Sequence, residues 1–362
     1  MEISYIRSSS LNNYEYCQQQ YFITYLLGQE QKTNIKTEVG TIVHKICEIL
    51  SHLKLAYQNS GKYEYNDPDF GLIFCEEENW LKESILSDEN VDKLNKSMTN
   101  RETYVDQKRI KYGHKRYGTL FVNSIIQKCY DFYSKKSEHE WTNIQFRNVF
   151  NFTWIFLDWN NGSFDPRKRT ILMPEEGFNI EIKKPWAKIG NEYLRIKGTI
   201  DLTTIVDNDL EIIDLKTGAR KNWATGKAKD YESLCKDPQL LLYYYAARQI
   251  FPQYKNILIT IFFIRDGGPF TICLDDSSFK HTENMMKEFV TNVLTTTKPK
   301  LLDPTHKDFR CKLLCSYFKN KVDGTPYCSY IKNEIETYGI DTTILRNRKQ
   351  GFSIGHYQQP GE

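Results

Sequence analysis

Three side chains in one short stretch carry the chemistry of this sequence. The stretch is Leu194 to Gly218, LRIKGTIDLTTIVDNDLEIIDLKTG, and the side chains are Asp201, Asp214 and Lys216. Residues two apart on a strand share a face, so Asp214 and Lys216 point the same way. A register that pairs Asp201 with Asp214 gathers two carboxylates and an ammonium at one point. Carboxylates that close repel unless a cation joins them. Hard oxygen ligands favour magnesium or manganese. The lysine adds fixed positive charge where a phosphate would react. A hairpin whose charges simply face water is the alternative. Apolar neighbours crowd both acids, as in Glu211-Ile212-Ile213-Asp214-Leu215, and buried acids need partners.

The local elements follow from composition. Asp207-Asn208-Asp209 is turn chemistry between two runs rich in Ile, Val, Leu and Thr, so the stretch is a two-stranded hairpin. Upstream, Ser10 can cap a helix from Leu11 to about Leu27 that carries Cys17, with Gly28 as its stop. A second helix spans about Glu38 to Leu55 and contains Gly40, His44 and Glu48. His44 is either structural or a ligand. Glu48 lies one turn on and could orient its ring.

From about Ser60 to Phe150 the pattern is mostly helical and charged, with Glu76–Lys96 and Phe121–Glu140 the clearest helices. Between them Arg101–Arg116 is basic, and Tyr104, Tyr112 and Tyr117 are interleaved. That run is either a solvated surface or a platform for the backbone and bases of unpaired DNA. Strand signals appear at Phe152–Phe156 and Phe178–Ile182. Glu181 is an acid facing either the site or solvent.

After the hairpin come Arg220, Lys221, Lys227 and Lys229, suited to phosphates. Pro238 opens a helix to about Ile250, with Gln239 and Tyr243 on one face. Strands at Asn256–Arg265 and Pro269–Leu274 flank a turn at Asp266-Gly267-Gly268. A helix from about Ser278 to Leu294 follows.

Composition bounds the rest. The chain has 362 residues, 40% hydrophobic and 14% aromatic, enough for a substantial core. A formal charge of +3 is too small to imply nucleic acid by itself. No apolar run approaches the roughly 18 residues of a membrane span. No secretory-signal pattern opens the chain, and no phosphate-cradling G-x-x-x-x-G-K-[ST] loop occurs. Nine cysteines without a signal suggest a reducing compartment, cytoplasmic or otherwise intracellular.

Together these residues resemble the PD-(D/E)XK nuclease superfamily in its RecB-like branch. Gly198-x-x-Asp201, then Asp214-x-Lys216, then Gln239-x-x-x-Tyr243 stand in that family's order, after Gly40-x-x-x-His44. The resemblance implies an α/β fold: a restriction-endonuclease-like mixed sheet flanked by helices. A helical insertion and a C-terminal cysteine-rich segment would be added to it. The expected boundaries are 1–57 for the N-terminal helices, 58–150 for the insertion, 151–297 for the nuclease core, 298–338 for the cysteine-rich segment and 339–362 for a poorly ordered basic tail.

It further implies Mg²⁺ or Mn²⁺ held by His44, Asp201, Asp214 and the Leu215 carbonyl, with Lys216 catalytic. Gln239 and Tyr243 would contact DNA, as would Arg220 and Lys221. Iron–sulfur members join one early cysteine to three late ones, here Cys17 with Cys311, Cys315 and Cys328. The late spacing is longer than the family's, so a [4Fe–4S] cluster, structural zinc and free thiols all stay open. The implied activity is a DNase, an exonuclease on single-stranded DNA or free ends, in recombination, repair or processing. A separate helicase is a candidate partner. A DNA-binding module with a vestigial site and an endonuclease of the same superfamily are the rivals.

Overall fold

The computed structural model describes residues 1–82, 120–221 and 227–354. The basic run Arg101–Arg116 with Tyr104, Tyr112 and Tyr117, and most of the Glu76–Lys96 helix, lie outside the described residues.

The chain opens with β1 (Tyr5–Ile6), α1 (Ser8–Tyr16) and α2 (Gln18–Tyr21), the last running into a π-helical turn, Phe22–Leu26. The expected unbroken helix is interrupted at Cys17, whose backbone is extended (φ −161°, ψ 108°). Ser10 is not its cap. It sits in the first turn and its hydroxyl accepts from the Arg7 N–H at 2.9 Å.

Helix α3 (Ile35–Ser60) is capped by the Asn34 side chain and ends at Gly61. The following insertion, expected to be mostly helical, opens with a hairpin of β2 (Tyr63–Asp67) and β3 (Gly71–Cys75). Helices α4 (Glu77–Trp80), α5 (Leu120–Lys136) and α6 (Asn143–Leu157) follow.

Helix α6 corrects the strand expected at Phe152–Phe156. Five β-prone residues in a row read locally as a strand. Burial instead falls on Val149, Phe150, Thr153, Trp154 and Leu157, the three- and four-residue spacing of a helix face. Thr142 caps it, accepting from Ile144 N–H, while Gln145 reaches back to Thr142 N–H.

The sheet is built from β4 (Thr170–Glu181), β7 (Arg195–Val206), β8 (Asp209–Lys216), β9 (Ile257–Phe263) and β10 (Gly268–Cys273), with β1 at one end. The small strands β5 (Lys188–Ile189) and β6 (Glu192–Tyr193) form a separate hairpin. The β8–β9 pair is parallel and the β7–β8, β9–β10 and β4–β7 pairs are antiparallel, so the sheet is mixed. Strand β4 begins well before the expected Phe178 because Pro174 and Gly177 interrupt its apolar pattern without ending it.

Strand β7 changes partner along one edge. Leu202–Val206 pair with β8, whereas Arg195 and Ile196 pair in parallel with β1. Asp201 lies where β8 leaves off.

Between β8 and β9 run α7 (Tyr231–Cys235) and α8 (Pro238–Ile250), and α9 (Asp276–Thr295) follows β10. Two cores result. One holds α1, α2, α8 and α9 against one layer of side chains, including Ile196, Ile200 and Ile212. The other holds α3, α5 and α6 against Leu202, Ile213, Leu215 and Phe262. The chain ends in α10 (Phe309–Leu314), α11 (Ser316–Lys319), the hairpin β11 (Lys321–Val322) with β12 (Thr325–Pro326), and α12 (Tyr327–Asn347). The tail expected to be poorly ordered from residue 339 breaks from helical geometry at Gly339 and then continues as helix to Asn347. It then docks, with Arg348 Nε donating to Leu26 O at 3.0 Å and Lys349 N to Leu27 O at 2.8 Å.

Two motif glycines are steric requirements. A Cβ on Gly198 would lie 2.5 Å from the Phe178 ring, and one on Gly40 would lie 2.7 Å from Thr217 Oγ1. Phe178 in turn meets Tyr243 edge to face at 6.3 Å. Gly198→Ala is therefore expected to destabilise the protein by about 1–3 kcal/mol. Phe178→Leu in the same chain should recover part of that loss, as read by urea unfolding midpoints of the double-mutant cycle.

Candidate active site

The β7–β8 ladder ends at Leu202↔Ile213, and Asp201 and Asp214 lie just beyond it, close enough for their charges to interact. The two acids are reached from different helical layers. From α3, His44 Nδ1 lies 3.4 Å from Asp201 Oδ1. Asp201 Oδ2 accepts the Leu215 backbone N–H at 2.7 Å. From the other layer, Gln239 Nε2 on α8 donates to Asp214 Oδ1 at 2.9 Å and to the Tyr243 hydroxyl oxygen at 2.7 Å. Tyr243 Oη donates to Thr199 O at 2.6 Å. Lys216 Nζ stands 2.9 Å from Asp214 Oδ1 and 2.8 Å from Oδ2.

The exposures differ in a useful way. The Asp214 side chain is 1% exposed, whereas Lys216 keeps 33%, His44 24% and Asp201 19%. The ammonium, the imidazole and one acid thus border solvent, and the second acid lies beneath them.

Electrostatics follow from that burial. Burial pushes the Asp214 carboxyl up to about 6; Lys216 opposes this and the Asp201 charge adds to it. Burial also works against an ionised Asp201, but His44, Lys216 and the Leu215 N–H outweigh it and hold that carboxyl below its ordinary value. Burial disfavours the His44 imidazolium, yet Asp201 and then Glu175 raise its pKa to about 9. Lys216 rises because Asp214 and Asp201 outweigh its burial.

Glu175 is the residue that sequence reasoning missed. It lies on β4, and burial, then the charges of Asp201 and Glu48, push it up to about 7. The acid expected in this role, Glu181, is exposed and pairs with Arg195 at 3.1 Å. The two differ by an even number of positions, so strand spacing alone could not choose between them.

Glu48 does not orient His44. It binds Lys45 Nζ at 2.9 Å, and Lys45 also reaches Asp67 of the β2–β3 hairpin at 2.8 Å. Nor do Gln239 and Tyr243 stand free for DNA: Tyr243 is buried and both support Asp214. The Arg220 guanidinium donates to Lys229 O at 2.6 Å and covers the Phe270 ring at 4.6 Å. Its backbone N–H donates to Asp266. Lys221 is exposed beside this braced turn and pairs with Ala228 through the backbone. Lys229 itself pairs with Asp237 at 2.5 Å.

The donor set fits a hard divalent cation. Two carboxylates and an imidazole are gathered within one neighbourhood. Asp214 Oδ2 is buried and accepts no directed hydrogen bond, despite its closeness to Lys216. Glu175 is a third acid held partly protonated by its neighbours. Among the described residues no group of three or more His, Cys, Asp or Glu side chains stands in coordinating geometry. The acids are paired instead with His44 and Lys216.

Cys17, Cys311, Cys315 and Cys328 line one pocket, with Tyr16, Gln20, His306, Tyr317 and Phe318. Burial pushes the Cys311 thiol up to about 11 and Cys328 up to about 12, and neighbouring cysteines add to both. The break at Cys17 turns that residue out of α1, and Gln19 N donates to Lys300 O at 3.1 Å beside it.

A mixed sheet flanked by helices is the architecture of a PD-(D/E)XK nuclease. The PD-(D/E)XK nuclease superfamily model matches residues 8–330, and the chain belongs to that superfamily. Its members generally use Mg²⁺ or Mn²⁺. No curated protein matches the sequence significantly. Similar solved structures include a "putative exonuclease" from Eubacterium rectale, at 14% identity and TM-score 0.34, covering 64% of this chain and 80% of that one. Another is the protein SSO0001, at 14% identity and TM-score 0.25, covering 63% of this chain and 91% of that one. The family assignment rests on the match over residues 8–330. Among the described residues no helix is long and apolar enough to cross a membrane.

Replacing Glu175 with Gln removes one of the charges that favour the His44 imidazolium. The His44 pKa, followed by NMR in metal-free protein, should fall from about 9, and Asp201→Asn should lower it further. An unchanged His44 titration in both variants would show that these acids do not face the ring.

Proposed function

We propose that the protein is a RecB-like DNase that requires Mg²⁺ or Mn²⁺ and degrades single-stranded DNA from free ends. The observation that carries the nuclease reading is the joining of Asp201 to His44 and of Asp214 to Lys216 at the point where β8 parts from β7. The preference for single strands and ends rests on the motif resemblance, as does a role in recombination, repair or DNA processing.

A divalent ion held by His44, Asp201, Asp214 and the Leu215 carbonyl would acidify a water and stabilise the departing phosphate oxygen. The chain's own groups do the rest. Lys216, the exposed cation of the set, faces the developing charge on the reacting phosphate. Gln239 and Tyr243 hold Asp214 in place and leave Lys216 free to turn outward once Asp214 is otherwise neutralised. His44 and Glu175 border Asp201 on the α3 side, where Glu175 can take up a proton near neutrality. Lys221, exposed beside the braced turn at Arg220, is placed to meet the phosphodiester backbone.

The four cysteines are read as ligands of a [4Fe–4S] cluster. Four thiols lining one pocket support this: Cys311 and Cys328 are buried, and burial and the neighbouring cysteines favour their protonated form unless a metal takes the proton's place.

The test is cutting of end-labelled DNA. With Mg²⁺ or Mn²⁺, linear single strands should shorten and circular single strands should persist. Lys216→Ala should lose roughly 10²–10³ in rate. Equal cutting of circles would make the enzyme an endonuclease. A Lys216→Ala variant as fast as the parent would overturn the assignment of the site.

A further inference from the structure

The cysteine pocket holds two polar groups that nothing in the fold satisfies. His306 and Tyr16 both line it. His306 Nδ1 and Tyr16 Oη are each buried with no hydrogen-bond partner. Buried donors without acceptors are rare, and a missing ion or group is a common reason for them.

The position of His306 is closely fixed. Its backbone adopts φ +53°, an uncommon conformation for a side-chain-bearing residue. A short loop fixes it there: His306 N donates to Asp303 O at 3.1 Å, and the Asp303 carboxylate accepts from Thr305 N and Asp308 N at 2.8 Å each. The ring tilts against Phe318 at 5.0 Å. Its far nitrogen, Nε2, lies 2.7 Å from Ser329 Oγ, one residue beyond Cys328. In the tautomer whose Nε2 accepts from the Ser329 hydroxyl, the proton sits on Nδ1. That N–H is then a fixed donor within the thiol-lined pocket.

We infer that His306 Nδ1–H, with Tyr16 O–H as a second donor, hydrogen-bonds the sulfur atoms of the metal–sulfur group that the four cysteines hold. The inference rests on the cluster reading above. The ligand class is an anionic iron–sulfur group. Hydrogen bonds to its sulfurs stabilise the more negative, reduced state, so both residues raise the reduction potential. Neither is a ligand: the cysteines already supply four thiolates.

The test uses the full chain purified without oxygen, as wild type, His306→Ala, His306→Asn and Tyr16→Phe. Iron and acid-labile sulfide are measured first. Each protein is then reduced with dithionite while the visible and EPR spectra are followed. His306→Ala should keep its iron and its circular dichroism but take up its electron at a more negative potential. His306→Asn, whose amide nitrogen sits close to the position of Nδ1, should recover part of the shift. Tyr16→Phe should move it in the same direction as His306→Ala.

Iron present and the potential unchanged in both His306→Ala and Tyr16→Phe would overturn the inference and leave the cluster standing. Loss of iron from both His306 variants in folded protein would make His306 a ligand, which also overturns it. Wild-type protein holding zinc, or no metal, would remove the cluster reading and this inference with it. The nuclease assignment, which rests on other residues, would be untouched.

Discussion

Two carboxylates placed in the interior at the end of one strand pair are tolerable only because a cation neutralises each. Asp214 is almost wholly removed from water and leans on Lys216, and Asp201 leans on His44. In a medium of low polarity an uncompensated charge of either sign is strongly unfavourable. The protein thus holds an internal balance of two acids against two bases, with Glu175 a third acid drawn towards neutrality. A divalent ion entering that balance would displace charge already stored there. The Lys216 ammonium would then face the substrate.

The surrounding fold serves to bring those groups together from opposite layers. Strand β7 pairs with β8 over one half and with β1 over the other. The change of partner leaves Asp201 beside an opened edge, where its carboxylate takes the Leu215 N–H. Helix α3 can bring His44 there because Gly40 lets it pass close to Thr217. Strand β4 can lie along β7 because Gly198 admits the Phe178 ring. Tyr243, packed on that ring, then places Gln239 under Asp214. A chain of contacts thus runs from two glycines to the two acids.

The second constraint joins the two ends of the chain. Cys17 faces the C-terminal segment because α1 breaks there. Around it the backbone is tied by Lys300, and Tyr317 reaches Thr24 at 3.0 Å and the Gln29 carbonyl. The tail closes over Leu26 and Leu27. These contacts hold the two ends of the chain together.

The sequence by itself determined what is local. Turn chemistry at Asp207-Asn208-Asp209 marked the hairpin that joins the strands carrying Asp201 and Asp214. A two-residue spacing put Lys216 beside Asp214, and a four-residue spacing put Gln239 beside Tyr243. These relations depend on strand and helix periods alone, which is why the motif order already pointed to the superfamily. Helix α6 was illegible in a window of five residues because its burial repeats every three or four. Only the tertiary structure decided that the charge of Glu175 rather than Glu181 acts on His44, that Glu48 serves Lys45, and that Gln239 and Tyr243 support an acid. Those choices turn on which distant side chain is nearest. Burial and charge make such contacts strong, and no local period encodes them.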